Sequence, residues 1–119
     1  MQIEKDLVAA SATPLVLAIL AEGESYGYAI LRRVRELSDG ELEWTDGMLY
    51  PLLHRLHRFG YVTTEWRTPH EGRRRRYYAI TVEGRAALAE HERQWVTVAR
   101  ALSDLWGRDD LLPFSLGRA

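Results

Sequence analysis

Apolar positions recur at helical spacing in three runs along the first 60 residues. Residues 1–22 place Ile3, Leu7, Leu15, Leu17, Ala18, Ile19 and Leu20 on a helix. Pro14 lacks the amide that a helix interior needs, so a kink or a restart is expected there, with Thr13 as the new cap. Ser25 is expected to cap a second helix that buries Tyr26, Ile30, Val34 and Leu37 and turns Arg32, Arg33 and Glu36 outward, ending where Asp39 precedes Gly40. Leu42 and Trp44 belong to a short extended piece. Thr45 then caps a third helix that runs to Gly60 with Leu49, Leu52, Leu53, Leu56 and Phe59 toward the core.

After Gly60 the period changes from helical to alternating. Val62, Thr64 and Trp66 alternate with Thr63 and Glu65, which predicts a half-buried strand over residues 61–67. A turn over 68–72 leads into a second strand over 75–81, with Tyr78 and Ile80 on one face, so the two strands form a hairpin. A long helix follows over 83–106, in which Leu88, His91, Trp95, Val98, Leu102 and Leu105 recur at gaps of three and four. Residues 107–119 read as a flexible tail. No repeat or linker divides the chain, and residues 1–82 and 83–106 are expected to form one unit with the tail attached.

The fold class that follows is mainly α with a small β-hairpin: a winged helix-turn-helix with a long C-terminal dimerisation helix. In that architecture the third helix enters the major groove and the hairpin lies along the backbone. The 119 residues are enough for one domain, and 46% hydrophobic with 28% charged residues excludes a disordered polyelectrolyte. Absence of cysteine removes disulfides, thiol catalysis and thiolate zinc sites. No apolar run reaches a membrane-spanning length and the N-terminus lacks the marks of a signal peptide, so a cytoplasmic location and no membrane partner are expected.

Charge distribution changes the picture more than the net value of -1 does. Residues 1–44 carry a net -4, residues 45–78 a net +4, and the remainder -1. Arginine supplies 15 of the 16 basic residues, a bias that fits a GC-rich genome as well as phosphate and guanine recognition. The third helix turns Gly47, Tyr50, Pro51, His54, Arg55 and Arg58 away from its leucines, groups able to donate to phosphates or base edges. Arg73, Arg74, Arg75 and Arg76 repel one another at the hairpin tip and on the returning strand, and an anionic partner would explain them. Two other readings stay open at this point: a charge device against edge pairing of the hairpin, and a dock for an acidic protein. Pro51 should clash with the carbonyl of residue 47. Because that residue is glycine, the first turn is expected to open slightly and bring its amides within reach of a phosphate.

Three segments carry a family resemblance: SYGYAI at 25–30, GMLYPLLHRLHRFGYV at 47–62 and EGRRRRYYAITVEGRAAL at 71–88. Over residues 12–106 the chain resembles the PadR family of transcriptional regulators, in the short form with one C-terminal helix. The resemblance implies a homodimer on a palindromic operator in double-stranded DNA, usually a repressor released by a small effector. It also implies that Tyr50 and the wing residues Arg73, Arg74, Arg75 and Arg76 lie at the DNA. Tyr26, Thr45, Gly47, Met48, Pro51, His54 and Arg55 complete the expected DNA-binding set. Where relatives commonly carry an acidic residue after the RL pair, this chain has His57, so a salt bridge made there is not carried over.

The seam of Leu88, His91, Trp95, Val98, Leu102 and Leu105 lacks an obvious intrachain cover, so a second copy, aided by Leu7 on the first helix, is expected to cover it. The resemblance places a ligand cavity near Trp95. Trp95, His91 and Glu92 are therefore the expected contacts of a small aromatic effector, although Trp95 reads equally well as core packing. His54 and His57 stand three apart without a third metal ligand, and no phosphate loop, dinucleotide fingerprint or nucleophile elbow is present. No metal, cofactor or catalytic residue is expected.

Overall fold

The computed structural model describes residues 1–108. Among them run α1 (Lys5–Glu22), β1 (Ser25–Tyr26), α2 (Gly27–Leu37), α3 (Asp46–Arg58), β2 (Val62–Arg67), β3 (Arg75–Ile80) and α4 (Val82–Trp106). The architecture is mainly helical, with a small antiparallel sheet in the order β1-β3-β2. The first compact unit is Met1–Leu88, and the second begins at Ala89 within α4. Beyond Arg108 the expected tail lies outside the described residues. Among the described residues no helix is long and apolar enough to cross a membrane.

The core of the first unit joins Val16, Leu17, Ile19 and Leu20 of α1, Ile30 and Val34 of α2, the leucines of α3, Val62 and Tyr78, with Trp44 packed among them. Full burial of a leucine-sized side chain is worth roughly 1.5–3 kcal/mol, so the stripe Leu49, Leu52, Leu53 and Leu56 fixes how α3 faces the domain. Both ends of α3 are closed as the sequence predicts. Thr45 Oγ1 accepts from the Met48 amide at 3.3 Å at the start. At the other end Gly60 takes φ 79°, and the Gly60 and Tyr61 amides donate to the His57 and Leu56 carbonyls at 3.0 and 2.9 Å.

Several expectations are corrected. The first helix begins at Lys5 and runs through Pro14 without a restart, because its buried residues on either side of Pro14 hold it in the core. Ser25 does not cap α2. It pairs with Tyr78 in β1, which gives the hairpin a third strand, and Tyr26 pairs with Tyr77 instead of entering the helix. Leu37 and Phe59 are exposed, and Phe59 rests on the ring of Tyr61 at 5.6 Å. Trp66 keeps the predicted strand face but is 53% exposed, since the sheet outruns the core by that position.

A close approach of Tyr61, just ahead of β2, to the start of α4 depends on one residue. A Cβ on Gly84 would stand 2.1 Å from the Tyr61 carbonyl oxygen and 2.8 Å from Ile80 Cγ1. Thr81 closes the same corner, donating to the Gly60 carbonyl at 2.7 Å and accepting from the Gly84 amide at 3.0 Å. Gly84→Ala is expected to lower unfolding stability by about 2 kcal/mol in urea titration. Unchanged stability would contradict this account of the corner.

Candidate nucleic-acid interface

With its leucines buried, α3 presents Gly47, Tyr50, Pro51, His54, Arg55 and Arg58 to solvent. The helix is unbroken through Pro51. A Cβ on Gly47 would meet only Thr45 Oγ1, at 3.8 Å. Met48 is half-buried against the core, and the Thr45 cap takes its amide. Tyr50 is 45% exposed and crosses to the first residue of α2, where a Cβ on Gly27 would stand 2.2 Å from its hydroxyl oxygen and 2.8 Å from Cζ. Only a residue without a side chain lets the phenol lie there.

The wing supplies the opposite wall. Register pairs Trp66 with Arg76 and Arg67 with Arg75, which sorts the arginines onto two faces. On one face Arg74 and Arg76 lie over the Trp66 ring at 5.1 and 5.8 Å, and Arg76 also approaches the Tyr78 ring at 5.8 Å. Arg76 Nε donates to Thr64 Oγ1 at 2.8 Å. Burial pushes the Tyr78 hydroxyl pKa up, against the opposing charge of Arg76 and a hydrogen bond with Thr64. On the other face Arg75 lies over the Tyr26 ring at 4.4 Å, and Tyr26 meets Tyr77 edge-on at 5.5 Å.

Tyr26, Gly27, Tyr28, Tyr50, Trp66 and Tyr78 join residues 73–76 around an open groove of about 690 Å3. The groove therefore unites six of the expected DNA-binding residues: Tyr26, Tyr50, Arg73, Arg74, Arg75 and Arg76. His54 and Arg55 stand outside it on the exposed face of α3, and Thr45 and Gly47 lie at that helix's first turn. Gly27, Tyr28 and Trp66 were not among the expected site residues. The only sequence sign of them is aromatic excess: a glycine between two tyrosines, and a tryptophan at the outer end of a strand.

Electrostatics distinguish the wing arginines from their neighbour. Arg67 is held by both oxygens of Glu24 and by Glu65, and lies over Tyr77 at 4.8 Å. Its hydrogen bonds hold the Glu24 and Glu65 carboxyls below the usual range and raise its own pKa, so the cluster is charge-compensated. Among the described residues no carboxylate pairs with Arg55, Arg58, Arg73, Arg74, Arg75 or Arg76. Aromatic rings shelve three of these guanidinium groups and leave their N–H edges available to an anion.

In the second unit Trp95, Leu102 and His91 are half-buried, Glu92 is exposed, and Val98 and Leu105 are 53% and 83% exposed. Leu88, at the end of the first unit, packs partly against the core, and Leu7 on α1 is 49% exposed.

Residues 16–90 match the family model described as the transcriptional regulator PadR-like family. A transcriptional regulator of Mycobacterium tuberculosis is 39% identical over 85 residues, covering 71% of this chain and 76% of the relative. Among solved structures, a transcriptional regulator from Clostridium thermocellum aligns with TM-score 0.76 and 27% identity, over 84% of this chain and 97% of its own. A PadR family transcriptional regulator from Eggerthella lenta aligns with TM-score 0.70 and 33% identity, over 85% and 86%. With the motifs, the winged fold and the family match in agreement, the chain belongs to the PadR-like family of transcriptional regulators.

Proposed function

We propose that the chain binds an operator in double-stranded DNA as a homodimer and regulates transcription, with Tyr50, His54 and Arg55 toward the major groove and residues 73–76 on the backbone or the adjacent minor groove. As a member of a regulator family it is not an enzyme. The observation that carries the reading is the set of guanidinium groups that line one groove with Tyr50 and have no carboxylate partner among the described residues, a like-charged cluster complementary to an anion. A protein partner and a duplex differ in their response to salt. Two wings and two recognition helices neutralising six to eight phosphates give a slope of log K against log salt of roughly -5 to -7. A slope near zero on duplex, with no preference among sequences, would contradict the reading.

The twofold arrangement rests on α4. Val98 and Leu105 stand exposed along its seam, with Leu102 between them and Trp95 one turn before, and two copies of such a helix bury one another's apolar stripe. Leu102→Glu is expected to yield monomers in analytical ultracentrifugation; an unchanged dimer would refute the seam. Half-sites of a palindromic operator then lie about 34–36 Å apart, one helical turn of DNA. In this reading the protein acts in the cytoplasm as a repressor. A small aromatic effector beside Trp95, His91 and Glu92 changes the separation of the recognition helices and releases the operator.

A further inference from the structure

We propose that Trp66 is the pedestal of a preformed phosphate site on the wing, holding the guanidinium groups of Arg74 and Arg76 as a pair for a backbone phosphate of the duplex. The proposal rests on the DNA-binding reading above and adds to it a positioning residue and a specific anion subsite.

Three observations carry it. Trp66 lies where the strand pair has left the core, 53% exposed, so it contributes little to folding for its size. Two cations nonetheless converge on its ring, Arg74 at 5.1 Å and Arg76 at 5.8 Å, although they repel each other and have no carboxylate partner among the described residues. Arg76 is further pinned, because its Nε is occupied by Thr64 Oγ1 at 2.8 Å, which leaves its terminal nitrogens as the free edge. The opposite face of the same two strands shows what a structural arginine looks like here, with Arg67 enclosed by Glu24 and Glu65. Arginine ordinarily carries large rotamer freedom, and a guanidinium already stacked on a ring loses less of it when a phosphate arrives. The planar fork, stacked by its face, presents the N–H edge that suits phosphate oxygens.

The test uses Trp66→Leu and Trp66→Tyr in the full chain, with two readouts. In the free protein, 15N relaxation is expected to show Arg74 Nε ordered in wild type and W66Y and released in W66L, while Arg76 Nε, held also by Thr64, loosens less. In fluorescence anisotropy across a salt series, W66L is expected to bind duplex about tenfold more weakly at every salt, with the slope unchanged because no charge has been removed, and W66Y to recover most of the loss. An Arg74 side chain as mobile in wild type as in W66L overturns the pedestal, whatever the duplex does. Equal affinity of W66L and wild type overturns it as well. If the wild-type arginines are ordered but no duplex binds, the DNA-binding reading fails instead. Inorganic phosphate then decides the anion site: it shifts both Nε resonances in wild type and not in W66L if the pedestal holds, and a shift in neither discards the site.

Discussion

Arg73→Ala combined with Arg74→Ala is expected to weaken duplex binding about 100- to 1,000-fold at physiological salt and to flatten the salt slope by about 3 to 4 for a dimer. Both residues precede β3, so neither contributes to the strand ladder, and neither is in an ion pair among the described residues. Their removal takes two charges per protomer from the groove wall opposite Tyr50. For the same reasons the melting temperature should stay within about five degrees, because exposed, unpaired charges rarely contribute more than about 0.5 kcal/mol each to folding. Anisotropy titrations at several salt concentrations, with thermal unfolding alongside, check both halves. A variant that melts normally and binds with an unchanged slope would remove the wing from the interface.

Gly27→Ala is the second large effect, and it separates binding from folding by a different route. Gly27 opens α2, where alanine is the better helix former, so helix propensity alone favours the substitution. The added Cβ would stand 2.2 Å from the Tyr50 hydroxyl oxygen, however, and the ring must leave its place over α2. Tyr50 is half-exposed and free to swing outward, so the fold is expected to keep its stability while the phenol loses its position toward the DNA. Loss of one well-placed contact to a charged group, together with the blocked groove wall, is expected to weaken operator binding on the order of 100-fold. Tyr50→Phe keeps the ring and removes only the hydroxyl, so it should cost less than Gly27→Ala. Wild-type affinity in Gly27→Ala would show that the position of Tyr50 over α2 is not used in binding.

These two predictions also mark the limit of what could be read from the chain. The α3 leucine stripe, its Thr45 cap and Gly60 exit, and the alternating runs of the wing are local patterns, and each appears where the periodicity places it. The exposed arginine run was equally plain. What escaped depends on distant partners. Ser25 looks like a helix cap until Tyr78 arrives to pair with it, and a two-residue strand carries no period of its own. Gly27 appears as one more helix residue until Tyr50 is seen above it. Periodicity also assigns a face without saying where the core stops, so Leu37 and Phe59 fall on the inner face by spacing yet stand exposed, and Trp66 is exposed on its half-buried strand. For Trp66 that difference leaves an indole at the edge of the sheet, where it shelves Arg74 and Arg76.

Arg67 shows that an arginine count overstates the interface. It stands on the wing like the others, yet Glu24 and Glu65 neutralise it and tie β2 to the segment ahead of β1. The groove charge is therefore carried by residues 73–76, in the groove that Tyr50 and Trp66 also line.

Sequence-specific, electrostatically driven DNA binding is tested by fluorescence anisotropy with two duplexes at two salt concentrations. One duplex comes from the region upstream of the protein's own coding sequence, and the other is its scrambled counterpart. Tighter binding to the native duplex is expected at both salts, with affinity for each falling steeply as salt rises. Equal, weak and salt-insensitive binding to the two duplexes would contradict it.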